Sequence, residues 1–195
     1  MIVNNTILSQ YGRVVYSKFG YTTDMLVLSN RLLGVSVMSL RTGQAIARTT
    51  GMVLNPNNLK IEGFYCEDRY EKTELILLYQ DIRDIIAQGM IVNDHDVLVM
   101  PDELIRLKKL IDLDYILLGK PVVTTDKKRL GKVVDFSAEF ETMYIQKLFV
   151  TQGLLKGLTK GNLGVDRNQI HEITDRKIIV NSPLAGGAVQ VGATA

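Results

Sequence analysis

A chain of 195 residues has room for one ordinary domain or two small ones, and 46% hydrophobic residues is the share of a packed globular core, not of a disordered chain. The 23 basic residues nearly balance 21 acidic ones, so the net charge of +2 supplies no overall field that would attract nucleic acid. One cysteine excludes an internal disulfide framework and suits a reducing cytoplasm, two histidines leave little material for a metal site, and no window approaches the ~18 consecutive apolar residues of a spanning helix.

Residues 1–24 read as an N-terminal extension, with Asn4-Asn5, Gly12 and Gly20 among several aromatics and no basic start followed by an apolar core. Two readings stand side by side: Ile7-Leu8 and Val14-Val15-Tyr16 pair as a hairpin, or the segment is a head preceding a start at Met25. A first unit is expected over 25–100. Its strands fall at 35–40, 45–54, 59–66, 75–78 and 90–92, separated by Arg41-Thr42-Gly43-Gln44, by the turn-forming Asn55-Pro56-Asn57-Asn58, and by the hairpin tip Gln88-Gly89. Over 101–114 the period changes. Leu104, Leu107, Leu110 and Ile111 recur at three- and four-residue steps behind Pro101 and the acidic pair Asp102-Glu103, which predicts an amphipathic linker helix. A second unit is expected over 115–184, followed by a flexible Gly/Ala/Val tail at 185–195.

The two units read alike. Leu32-Leu33-Gly34 matches Leu117-Leu118-Gly119, Ile46-Ala47-Arg48 matches Leu130-Gly131-Lys132, and Ile61 through Cys66 matches Ile145 through Val150. Further on, Ile82-Arg83-Asp84-Ile85 answers Ile170-His171-Glu172-Ile173, and Met90-Ile91-Val92 answers Ile178-Ile179-Val180. This is the internal echo of a unit of roughly 70–80 residues. It places Leu33 and Leu118 inward and Gly34 and Gly119 at matching bends. The order of these runs (Leu-Leu-Gly, a charged turn, Gly131-Lys132-Val133, aliphatic strand, polar turn with isoleucine, Ile-Ile-Val) resembles the PRC-barrel family. That family includes the cytoplasmic domain of the photosynthetic reaction-centre H subunit and the C-terminal domain of a ribosome maturation factor. The resemblance implies a mainly β protein: two tandem small antiparallel β-barrels of PRC type joined by the amphipathic helix.

Chemistry-bearing clusters are few. Lys127, Lys128 and Arg129 form a basic turn with Lys132 nearby, as candidate contacts to a partner or a phosphate, though neighbouring acids favour a solvated face. The glycine-rich run at 153–164 carries Lys156 and Lys160. It reads either as a phosphate cradle or as a flexible hairpin connection, and its spacing departs from the G-x-x-x-x-G-K-[ST] pattern. Asn93-Asp94-His95-Asp96 gathers metal-type ligands but reads as a solvated turn, His171 as a turn residue, and Cys66 as a small buried hydrophobe. No catalytic, cofactor or metal residue is assigned. The family resemblance implies a cytoplasmic, non-catalytic adaptor that docks a protein partner. The alternatives are an RNA- or ribosome-associated maturation factor and a small-ligand or metal-binding protein.

Overall fold

The computed structural model describes residues 25–152 and 162–182. The expected extension at 1–24, the loop holding Lys156 and Lys160, and the tail at 185–195 lie outside the described residues.

The chain is mainly β. After a short strand β1 (Leu26–Leu28), the first sheet is built from β2 (Ser36–Ser39), β3 (Ala45–Asn55), β4 (Lys60–Asp68), β5 (Glu74–Leu78), β6 (Ile82–Ile86), β7 (Gly89–Val92) and β8 (Leu98–Val99). Its order is β6-β7-β2-β3-β4-β5-β8. The second sheet comprises β9 (Pro121–Thr124), β10 (Arg129–Glu139), β11 (Ile145–Gln152), β12 (Asn162–Asp166), β13 (Ile170–Ile173) and β14 (Ile178–Val180), in the order β12-β11-β10-β9-β14-β13. Strand for strand, this is the path that β5 to β6 follows in the first sheet.

Two features correct the expected antiparallel barrels. Neither sheet closes, since each path ends on strands that pair no further. And each sheet contains one parallel pair, β2 with β7 and β9 with β14. The hairpin of β6 and β7 returns beside the first strand of its sheet. Gly89 makes that approach possible, because a Cβ there would lie 2.0 Å from the Ser36 carbonyl oxygen.

Closure is replaced by mutual burial. Leu54, Ile61 and Phe64 of the first sheet and Phe136, Ile145 and Leu148 of the second are all buried within one continuous cluster. Each such side chain stabilises by about 1.5–3 kcal/mol relative to exposure. The sheets are also knitted together through β1, which comes from the first part of the chain yet pairs with β10, Leu26 opposite Glu139 and Leu28 opposite Ser137.

The bends fall where the repeated motif puts them. Gly34 (φ +71°) and Gly119 (φ +83°) both turn the chain in the left-handed region, and their amides donate to Thr49 and Val133 respectively. The inward side chains, however, are Leu32 and Leu117, both fully buried, with Leu33 and Leu118 only half-buried. The expected helix over 101–114 is broken. Pro101–Glu103 makes one 3-10 turn, Leu104 leaves helical geometry at ψ 63°, and the Ile105 amide turns back to Glu103 O. Only Lys108–Leu113, six residues, is α-helix (α1), and Asp114 ends it at φ 43°. The apolar spacing gives only partial cover: Leu104, Leu107, Leu110 and Ile111 are half-buried, and Ile105 is 83% exposed.

Candidate interaction surfaces

The turn between β3 and β4 meets the turn between β10 and β11. Leu59 (φ 53°) and Met143 (φ 55°) hold matching left-handed conformations, uncommon for such side chains, and both are buried. Their neighbours exchange hydrogen bonds reciprocally: the Ile61 amide donates to Met143 O at 2.9 Å and the Ile145 amide to Leu59 O at 2.8 Å. Lys60 and Tyr144 form the bridge between them.

A cation sits over an aromatic face on either side of this bridge. The Lys60 ammonium donates to Tyr79 Oη at 3.0 Å, lies 4.4 Å from that ring's centroid, and pairs with Glu62 at 3.3 Å. The Tyr79 hydrogen bond, opposed in part by burial and aided by Glu62, raises the Lys60 pKa. The Arg167 guanidinium lies 4.6 Å from the centre of the Tyr144 ring and donates to Asn58 O at 2.6 Å. Beside it a cavity of about 300 Å³ opens between the β3–β4 turn and the segment 167–173.

A second cavity, of about 310 Å³, is predominantly apolar. Leu33, Gly51, Met52 and Tyr65 form one side, and Tyr115 with Ile116 the other. Tyr65 leans over Gly51, where an added Cβ would meet the ring at 3.2 Å, and its hydroxyl reaches Ile111 O at 3.5 Å. Burial, with Asp114, Glu74 and Asp112 nearby, raises the Tyr65 pKa, and Asp114 adds one carboxylate to the otherwise apolar lining. Tyr115 is held more firmly. Its hydroxyl donates to Thr174 O, Lys120 covers its ring at 4.3 Å, and burial, with Asp175 nearby, pushes its pKa up to about 12. On the rim, Ile116 is 63% exposed.

Residues 113–185 match the family model of the PRC-barrel domain. Over that segment the chain is similar to the PRC-barrel domain. No curated protein matches the chain. The matched segment spans β9 to β14 of the second sheet, so the strand and turn pattern that carried the resemblance is the pattern of these strands. It supports a protein-interaction or assembly module. Both cavities touch the matched segment and the first sheet together.

The sequence-selected cations lie elsewhere. Lys127 and Lys128 occupy the exposed turn between β9 and β10, with Lys127 at φ 64°, and Arg129, also exposed, opens β10. Lys132 is exposed three residues further along β10, opposite Thr151. None of the four joins the ion pairs among the described residues. Lys156 and Lys160 lie outside the described residues.

The 93–96 turn is not simply solvated. Asp94 pairs with Arg41 and accepts from Ser39 Oγ, while His95 Nε2 meets the carboxylate of Asp68, which is 1% exposed. Burial works against the Asp68 anion, but the Glu71 amide, His95 and the Tyr70 amide outweigh it and lower its pKa. Among the described residues no group of three or more His, Cys, Asp or Glu side chains is placed to hold a metal ion. Nor is any described helix long and apolar enough to cross a membrane.

Cys66 is fully buried and burial pushes its thiol up to about 12, far from a reactive thiolate. The Asp68–His95 contact and the two cation–aromatic pairs beside the Lys60–Tyr144 bridge were not visible in the sequence, because each joins residues on different strands or turns.

Proposed function

We propose that this chain is a non-catalytic, cytoplasmic docking module, two PRC-type units in tandem, that holds a protein partner in the apolar groove at Gly51, Met52, Tyr65 and Ile116. The observation that carries the reading is the groove itself: an apolar floor and a well-exposed aliphatic side chain, Ile116, on its rim. Asp114, the acidic residue of the lining, gives the partner its chemistry, an aliphatic anchor followed by a basic residue. Such binding responds weakly to salt.

A second reading has its own observation, the four unpaired exposed cations Lys127, Lys128, Arg129 and Lys132. If they meet RNA phosphates, counterion release makes affinity fall steeply with ionic strength. The test is co-purification of the partner with the wild type, with Ile116→Asp, and with Lys127, Lys128 and Arg129 changed together to Glu. Docking in the groove predicts a protein partner that survives nuclease and moderate salt, is lost with Ile116→Asp, and tolerates the triple change. Loss by nuclease and by the triple change, with Ile116→Asp neutral, overturns it in favour of RNA.

A further inference from the structure

The two cations at the junction are balanced differently. Lys60 has Glu62 at 3.3 Å. On the other side, the strand position matching Glu62 is Gln146, whose amide turns to Glu139, so it brings no carboxylate to Arg167. Arg167 is half-buried, packed on Tyr144 and hydrogen-bonded to one carbonyl, and among the described residues no carboxylate pairs with it. A guanidinium drawn out of water without a counter-ion costs stability, and the ring face and one neutral acceptor offset only part of that cost.

The surroundings of Arg167 are donors. Asn57, Asn58 and His171 line the same 300 Å³ cavity, with Leu59, Ile170 and Ile173 as its apolar walls. The Asn58 side-chain oxygen already accepts the Lys60 amide at 3.0 Å, which leaves its NH₂ group to donate. One acidic residue, Glu172, shares the lining. We propose that this cavity binds a small carboxylate-bearing molecule, its carboxylate on the free edge of Arg167 and within reach of the Asn57 and Asn58 amides. A planar monoanion matches the guanidinium fork and is neutralised by the single charge. A phosphate dianion is over-charged for one arginine, and Glu172, which opposes any anion here, repels the dianion more strongly than a carboxylate. This site is separate from the docking groove and does not depend on it.

The experiment is an amide-resolved NMR titration of the full chain with sodium acetate, with inorganic phosphate as the comparator, ionic strength being held constant with chloride. Acetate is expected to shift Asn57, Asn58, Arg167 and His171 saturably and to leave the β9–β10 turn unmoved, with phosphate binding more weakly. Arg167→Met should abolish saturation, and Asn57→Ala, at an exposed turn position that does not threaten folding, should weaken it by about tenfold, the worth of one charge-assisted hydrogen bond. No saturable shift in the wild type, an unchanged curve in either variant, or tighter binding of phosphate than of acetate overturns the proposal.

Discussion

The first and second sheets share a strand order but differ in what lies beside their longest strands. β10 pairs with β9 through Lys132, and further along the same side β1 adds itself, with Val27 buried opposite Ala138. β3 pairs with β2 and is bonded on through Thr49, which exchanges hydrogen bonds with Gly34 and Val35. Beyond that point no strand among the described residues takes the place beside β3. The short α1 packs there instead, and the apolar groove lies between Gly51 and the segment after the helix. The same architecture is sealed in one sheet and open in the other. Interaction sites in a pair of like units are to be sought where their covering elements differ, since the shared strands serve packing.

The sharpest break of this comparison is at a single glycine. A Cβ on Gly131 would lie 1.5 Å from the Thr151 carbonyl oxygen, and its φ of +156° disfavours a side chain as well. The matching place in the first sheet already holds Ala47. Gly131→Ala is expected to destabilise by about 4 kcal/mol, against about 1 kcal/mol for Ala47→Gly, both read from urea unfolding. Equal costs would mean that the two strands do not hold corresponding positions.

The covering elements come next. Val27→Asp places a charge in a site that is 7% exposed and is expected to cost about 3 kcal/mol. Leu107→Asp, at a half-buried place just before α1, should cost only about 1 kcal/mol, less than a continuous packed helix would imply. Thermal melts that rank the two the other way would make α1 the tighter cover.

The smallest effect concerns acid. Asp68 of β4 lies opposite Ala47, and the matching residue of β11, opposite Gly131, is Gln152. Because the folded-state pKa of Asp68 is lowered, its contribution is fully present above the unfolded value of about 4 and is lost as pH falls through the folded value. Asp68→Asn should lower stability by about 1 kcal/mol at neutral pH and flatten the acid limb. Hydrogen exchange should place the acid-induced loosening of the wild type in the first sheet. An acid limb unchanged by the substitution would remove Asp68 from that role.

Much of the sheet framework was legible. Alternation and β-branched runs located β2 to β5 and β7, the internal echo carried two of these onto β10 and β11, and the paired Leu-Leu-Gly motifs marked two bends whose glycines indeed take positive φ. Three things escaped. β1 is three residues long, too short for a period to register, and its partner lies more than a hundred residues away. The 101–114 segment has helical spacing, but spacing does not reveal the turn at Leu104 or the weak burial that leaves a six-residue helix. The junction rests on Lys60 meeting Tyr144 and Arg167 meeting Asn58, contacts set only by how the two sheets face each other.

Docking of a protein on the open side of the first sheet can be tested at the groove's rim. A photo-crosslinking residue at Ile116 in the full chain, compared with the same residue at Val134, an exposed aliphatic position on β10, addresses it most directly. One protein partner, unaffected by nuclease, is expected to be captured from position 116 and not from 134. Equal capture from both positions, or capture that nuclease abolishes, would contradict it.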